Sequence, residues 1–227
     1  RQSATDHHHA NQVMSRFDYL RDPDQIERES FVQIRQLTDL RRFDDDQQQV
    51  AMRLVHTCGE PNIVEDLHFS AGAVNAGLAA ILEERPVLCD VEMVRYGITR
   101  RFLPNPLHCF LNDERTPALA KLRQETRSMA ALEMWREHLE GSIVIIGNAP
   151  TALFRLLEML MEGAPDPALI IGMPVGFIGA AESKAALMDP GQSLRTEWIS
   201  LSGRRGGSAL AAATANSLAR LAKGVRL

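Results

Sequence analysis

The last part of the chain repeats one unit, a short apolar strand followed by a turn and a helix, and this repeat limits the fold more than any other feature. The first strand, Ile143–Ile146, is a β-branched run of the kind found in the middle of a parallel sheet. Strands that alternate with helices indicate an α/β fold with a mainly parallel sheet and right-handed crossovers. The pattern then predicts helix 151–161, strand 168–171, helix 180–188, strand 198–201 and an alanine-rich helix 207–222.

The first half of the chain has clear helix ends. Asp22 before Pro23 opens one helix, and the acidic run 44–46 opens a second helix that Gly59 ends. The pattern further predicts a third helix capped by Ser70, a buried strand 86–90 and a long amphipathic helix from Thr116 to about Leu139.

No segment of the amino-acid sequence is repeated and no convincing linker occurs, so we expect residues 18–227 to form one domain. Residues 1–17 are polar, and we expect a disordered extension rather than a signal peptide. The run His7, His8 and His9 could bind a metal, but a solvated tail fits its setting better, so we predict no metal site.

Composition excludes several classes of protein. The net charge of −4, from 25 basic and 29 acidic residues, argues against a nucleic-acid binder. The three cysteines show no CxxC spacing, which argues against a disulfide framework or a zinc site and fits a reducing compartment. No apolar run has the roughly 18–20 residues of a membrane span. We therefore expect a cytoplasmic protein without a membrane partner.

A ligand site is expected beyond the carboxyl ends of the strands, because open α/β sheets bind ligands there. Four loops emerge at such ends (89–92, 147–151, 172–177 and 202–208), and three are rich in glycine, asparagine or proline. Such loops either pack tightly or form a continuous floor for a ligand. Arg204 and Arg205, with the helix start behind them, could hold a carboxylate or phosphate, or could be solvated loop charges. Neither a dinucleotide fingerprint nor a phosphate loop occurs in the sequence.

His56, in the last turn of the second helix, is the best candidate for proton transfer, because an imidazole titrates near neutral pH. Its place at a helix carboxyl end predicts a stabilised protonated form. From the pattern alone His56 could equally be a helix-end or core histidine. His68, His108 and His138 have no better sequence neighbours, and no hydrolase or metalloprotease signature is present.

Five blocks of the sequence carry a family resemblance: 54–59 (LVHTCG), 86–93 (PVLCDVEM), 147–154 (GNAPTALF), 172–184 (GMPVGFIGAAESK) and 206–209 (GGSA). On these blocks the chain resembles the precorrin-8X and cobalt-precorrin-8 methylmutases. The resemblance implies a flavodoxin-like, three-layer α/β fold and a homodimer with its active site near the interface. It also implies an isomerase of cobalamin synthesis that moves a methyl group within ring C of the tetrapyrrole and gives hydrogenobyrinate. No redox cofactor or methyl donor is expected, because the migration is intramolecular.

The same resemblance implies roles for individual residues. His56 matches the family's proton donor, and Ser30 and Arg127 match substrate contacts, although each could instead be a plain helix-surface residue. Glu29 and Ser202 depart from the basic residues that are usual in the family, which puts the contacts of Ser30 in question. The glycine-rich loops would offer substrate contacts at Asn148, Thr151, Gly172, Met173, Val175, Gly176, Arg204, Gly206 and Gly207.

Two other functions fit parts of the pattern. A tetrapyrrole carrier would share the glycine-rich edge, and a coloured protein that converts no substrate would indicate it. A nucleotide-dependent enzyme is disfavoured by the missing phosphate motifs. The sequence does not show whether the natural substrate contains cobalt, and overall similarity favours the metal-free form.

Overall fold

A computed structural model describes residues 17–227, which form a six-stranded sheet with helices on both faces. The strands lie in the order β1-β6-β5-β4-β2-β3, and every neighbouring pair is parallel except β1 with β6. The predicted α/β class with a mainly parallel sheet is confirmed. The strands are β1 Leu67–Phe69, β2 Val87–Cys89, β3 Leu107–Cys109, β4 Ile143–Ile146, β5 Leu169–Gly172 and β6 Glu197–Leu201.

From β2 onward the strand order is flavodoxin-like. With β2 counted as the first strand, the spatial order reads 2-1-3-4-5, which is the flavodoxin arrangement. The structure adds β1 as an antiparallel edge strand beside β6. Neither β1 nor β3 was predicted, because each has only three residues and carries a histidine at its centre, His68 or His108.

Side chains of the central strands alternate between two apolar cores, one on each face of the sheet. Ile143 and Ile145 enter the first core, whereas Val144 and Ile146 enter the second. The first core is covered by α1 Pro23–Leu37, α2 Asp45–Cys58, α3 Ala73–Leu82, α4 Glu92–Gly97 and α9 Ser208–Ala222. The second face carries α5 Thr116–Arg123, α6 Arg127–Ala131, a 3₁₀ segment Leu132–His138, α7 Pro150–Met161 and α8 Ala180–Met188.

The predicted ends of the first two helices are confirmed. The Asp22 carboxylate accepts the Gln25 N–H at 2.7 Å, and Asp44 forms a reciprocal capping box with Gln47. Gly59 ends α2 in the left-handed conformation, with φ of 72°. His56 therefore lies in the last turn of α2, as expected.

Two predicted helices differ from the structure. Ser70 does not cap α3, because its hydroxyl donates to the Glu197 carboxylate and Gly72 precedes the helix. The long helix predicted from Thr116 to Leu139 is broken: Gln124 turns left-handed at φ of 53°, and Thr126 caps a new helix by accepting the Met129 N–H.

Among residues 17–227, no helix is both long and apolar enough to cross a membrane. The predicted extension 1–17, with His7, His8 and His9, lies outside the described residues except for Phe17.

Candidate active site

Four loops follow β2, β4, β5 and β6 and meet along one edge of the sheet, because these strands are parallel. We call them the rim: residues 90–91, 147–149, 173–179 and 202–207. The rim is the edge at which the sequence predicts a ligand.

Asp90 joins the first two rim loops. Its carboxylate is 2% exposed and accepts the backbone N–H groups of Gly147 at 3.0 Å, Asn148 at 3.0 Å and Ala149 at 2.9 Å. These N–H groups precede α7, which has no side-chain cap of its own. Asp90 therefore orders this loop from inside the protein.

Backbone hydrogen bonds join the β5 and β6 loops. Gly207 donates its N–H to the Met173 carbonyl at 2.9 Å, and Gly176 donates to the Arg204 carbonyl at 3.2 Å. A Cβ at Gly206 would lie 2.4 Å from the Met173 carbonyl oxygen, so only glycine allows this approach. The two glycine-rich loops thus form one connected surface.

Residues of the β5 loop divide into buried and exposed ones. Gly172 and Met173 are buried, and a Cβ at Gly172 would lie 2.5 Å from the Leu187 side chain. That these two residues contact the substrate stays a prediction. Because both are buried, they support the rim from inside the protein. Phe177 and Ile178 are 84% and 92% exposed. The Arg204 guanidinium lies over the Phe177 ring, 5.2 Å from its centroid.

Arg205 is not free to bind an anion as the sequence suggested. Its guanidinium donates to Asp66 at 2.9 Å, to Glu60 at 3.0 Å and to Asn62 at 2.9 Å. These partners lie in or beside the 3₁₀ segment Pro61–Glu65, which follows α2. Arg205 therefore fastens the β6 loop to the segment that follows His56.

The carboxyl end of α2, which carries His56, lies at the rim end of the molecule. α2 packs along α9, and the segment after α9 reaches the start of α2, where Arg226 pairs with Asp46 at 2.7 Å. The two helices are therefore antiparallel. Because α9 begins at Ser208, directly after the rim, the opposite end of α2 is the one beside the rim.

His56 is solvent-exposed on one side and stacks on Phe31 of α1 on the other, with ring centroids 5.1 Å apart. The pKa of His56 is lowered from 6.5, first because burial disfavours the charged ring and second because the Arg53 guanidinium repels it. The Glu27 carboxylate opposes these effects. The expected stabilisation of the protonated form is not found, because burial and the Arg53 guanidinium shift the pKa of His56 in the opposite direction.

Ser30 and Arg127 lie on different sides of the sheet. Ser30, next to the His56 partner Phe31, donates its hydroxyl to the Ile26 carbonyl at 2.7 Å. Arg127 begins α6 on the second face and donates to Asn112 at 2.6 Å and to the Leu111 carbonyl at 3.1 Å.

Thr151 connects the Arg127 region to the rim. Its hydroxyl lies 3.0 Å from that of Thr126, the residue before Arg127. Asn148 is exposed in the neighbouring loop. The predicted site residues therefore spread along the rim, with His56 near its β6 end and Arg127 near its β3 end.

A sequence model of the precorrin-8X methylmutase family matches residues 25–221. The chain belongs to this family. It is 53% identical over 204 residues to the precorrin-8X methylmutase of Pseudomonas aeruginosa, a match that covers 89% of this chain and 97% of that protein. It is 35% identical over 184 residues to the cobalt-precorrin-8 methylmutase of Methanocaldococcus jannaschii, covering 81% and 84% of the two chains.

A solved precorrin-8X methylmutase from Thermus thermophilus has the same fold as this methylmutase. The two superpose with a TM-score of 0.80 at 36% sequence identity, over 89% of this chain and 98% of the other. The predicted family and the predicted enzyme class, an isomerase, are confirmed.

Three residues that organise this methylmutase site were not singled out from the sequence: Asp90, Phe31 and Lys184. Lys184 is fully buried beneath the rim, where its ammonium donates to the Arg205 carbonyl at 2.6 Å. A signal for Lys184 did exist, since it is one of only three lysines and stands in an alanine-rich helix. Asp90 lies in the predicted loop 89–92, but its role as acceptor for the N–H groups of the next loop was not predicted.

Proposed function

We propose that this methylmutase moves a methyl group between adjacent carbons of ring C in precorrin-8X and forms hydrogenobyrinate, a step of cobalamin synthesis. The observation that carries the proposal is the similarity over nearly the full length of proteins named for this reaction. The identity is higher to proteins named for precorrin-8X than to proteins named for cobalt-precorrin-8, which favours the metal-free substrate.

His56 is the proton donor in this proposal. A proton on the conjugated macrocycle makes it electron-poor, so the bond from the methyl group to one ring carbon breaks as the bond to its neighbour forms. The macrocycle gives up one proton for the one it gained, and the product keeps the composition of the substrate. The lowered pKa makes the His56 imidazolium a stronger acid. General acid catalysis of this kind typically contributes about a hundred- to ten-thousandfold in rate.

The rim binds the carboxylates of the tetrapyrrole in this proposal. Its support is the connected surface of the β5 and β6 loops together with the start of α9, where no side chain caps the first N–H groups and an anion is favoured. Holding the flat ring in one geometry would supply the rest of the rate enhancement.

The proposal includes a cytoplasmic homodimer with the site near the subunit interface. Its support is the pair of apolar side chains, Phe177 and Ile178, that stand exposed at the rim. His56 and Arg127 also lie towards opposite ends of one subunit's rim. In the proposed homodimer, His56 of one copy would therefore come close to Arg127 of the other copy. The three free cysteines fit a reducing compartment.

The test is conversion of metal-free precorrin-8X, followed by its absorption spectrum. We expect His56→Ala to lose at least a hundredfold in rate while still binding hydrogenobyrinate. The matched control is His138→Ala, because His138 lies at the end of the 3₁₀ segment, stacks on His108 and belongs to none of the rim loops. Normal conversion by His56→Ala would refute the proton-donor role, and no conversion by the wild type would refute the reaction.

A further inference from the structure

Lys184 is a buried cation that no neighbouring carboxylate of the described residues pairs with. It lies in the second turn of α8, its side chain has 0% exposure, and its ammonium donates to the Arg205 carbonyl at 2.6 Å. Within residues 17–227 no carboxylate forms an ion pair with it; the nearest influence of opposite charge is Asp66, which is already paired with Arg205. Burying an ammonium this way is costly, and such groups are rarely kept without a function.

The choice of lysine at this position is informative. The chain has 25 basic residues, of which only Lys121, Lys184 and Lys223 are lysines. The other two lysines are exposed. A lysine head is compact and donates from one point, whereas a guanidinium is a broad planar fork, so the space below Arg205 suits a lysine.

Lys184 also stands at a junction of the rim. The Arg205 carbonyl that it holds lies between Arg204, whose carbonyl accepts the Gly176 N–H, and Gly206, which packs on the Met173 carbonyl. The Arg205 side chain reaches the segment behind His56. One buried donor thus fixes the loop that links both glycine-rich loops to α2.

We propose that Lys184 is a positioning residue of the substrate site, which fixes the β6 loop and supplies positive charge beneath the rim for a polycarboxylate ligand. This inference rests on the proposed function, since it assigns the charge to the tetrapyrrole carboxylates. Lys184 has no exposed surface, so it acts through the loop and through its field.

The surroundings of Lys184 support a charge that titrates near neutral pH. Burial lowers its pKa to about 8, and the Asp66 carboxylate opposes this shift. The other charged groups on the elements packed around α8 are engaged or turned to solvent. Arg155 of α7 pairs with Glu158 and Glu162, and Glu197 of β6 accepts the Ser70 hydroxyl. In the β6 loop, Arg204 lies over Phe177 and Arg205 pairs with Asp66 and Glu60. Glu182 of α8 is exposed.

The charge of Lys184 should therefore make the affinity for an anionic ligand depend on pH. The ammonium is present below its pKa and lost above it, so an anionic ligand binds more weakly as pH rises. We expect the Kd of hydrogenobyrinate to rise about sevenfold between pH 7 and pH 9.5, because a ligand-induced pKa rise of about one unit from about 8 gives at most a tenfold change. His56 is not a source of this change, because its pKa lies below 6.5.

The experiment measures the Kd of hydrogenobyrinate by absorption or fluorescence titration at pH 7, 8, 9 and 9.5. Lys184→Gln keeps a donor for the Arg205 carbonyl but removes the charge, so we expect a roughly tenfold weaker Kd at pH 7 and no further weakening at high pH. Lys184→Met removes donor and charge and should bind more weakly still. Lys223→Gln, a change at an exposed lysine, should match the wild type at every pH.

Three results separate the possible failures. A wild-type Kd that stays constant from pH 7 to pH 9.5 overturns the role of Lys184, and this needs no variant to fold. A Lys184→Gln protein with the wild-type affinity and pH dependence overturns it as well. A wild type that binds no hydrogenobyrinate at any pH would instead refute the proposed function.

Discussion

Asp90→Ala should destabilise the protein strongly, although Asp90 belongs to no apolar core. Its carboxylate accepts three backbone N–H groups at 2.9–3.0 Å, from Gly147, Asn148 and Ala149. Removing it leaves these donors without an acceptor at the start of α7. The substitution therefore loosens the rim loop between β4 and α7.

The size of the effect follows from burial. Gly147 and Ala149 are buried, so water cannot replace the carboxylate there, whereas the exposed Asn148 can be hydrated. A buried donor left unpaired costs about 1–3 kcal/mol, which gives roughly 2–6 kcal/mol for the two. Removing the carboxylate also removes the cost of burying it, so we expect about 2–4 kcal/mol. Asp90→Asn should cost about half of this, because its amide oxygen can still accept the Asn148 and Ala149 donors.

Urea unfolding with linear extrapolation measures the free energy of unfolding of each variant. The matched control is Asp189→Ala, because the Asp189 carboxylate also accepts a backbone N–H, that of Gly191 at 2.8 Å, but at an exposed site. The control should lose about 0.5–1 kcal/mol. If Asp90→Ala were no more destabilised than Asp189→Ala, the inference that buried unpaired donors set the cost would be wrong.

Two further substitutions test the site geometry. Gly206→Ala places a methyl 2.4 Å from the Met173 carbonyl oxygen and should cost about 1–3 kcal/mol in urea unfolding; an unchanged midpoint would contradict the close packing of the two loops. Arg53→Gln removes a positive charge beside His56 and leaves the Glu27 carboxylate, so the pKa of His56 should rise and proton donation should extend to higher pH. A histidine NMR titration checks the direction, and a fall in pKa would contradict it.

Much of the fold could be predicted because its signals are local. The caps Asp22 and Asp44, the left-handed Gly59 and the β-branched run Ile143–Ile146 each act within a few residues. Alternation of strand and helix then determined the parallel sheet, since parallel strands need a crossover. The rim loops were located correctly because they follow from those strand ends.

Features that depend on distant residues were missed. Ser70 has the right residue type for a cap, but Glu197, far along the chain, takes its hydroxyl. The apolar spacing from Thr116 to Leu139 hides the left-handed Gln124. The pKa of His56 depends on Phe31 and Arg53 packing around it, which no helix-end rule contains.

Strand order indicates where a flavodoxin-like chain without phosphate motifs would bind the anionic substrate of the proposed function. In this order the switch point lies between β2 and β4, where related folds hold a phosphate on backbone N–H groups. Here the Asp90 carboxylate occupies those N–H groups, so the chain carries its own anion at that place. An anionic ligand must then find positive potential elsewhere on the rim. The β6 loop offers it, with the uncapped start of α9 on one side and the buried ammonium of Lys184 below. We therefore expect the carboxylates of the substrate to bind towards the β5 and β6 end of the rim, beside the end of α2 that carries His56.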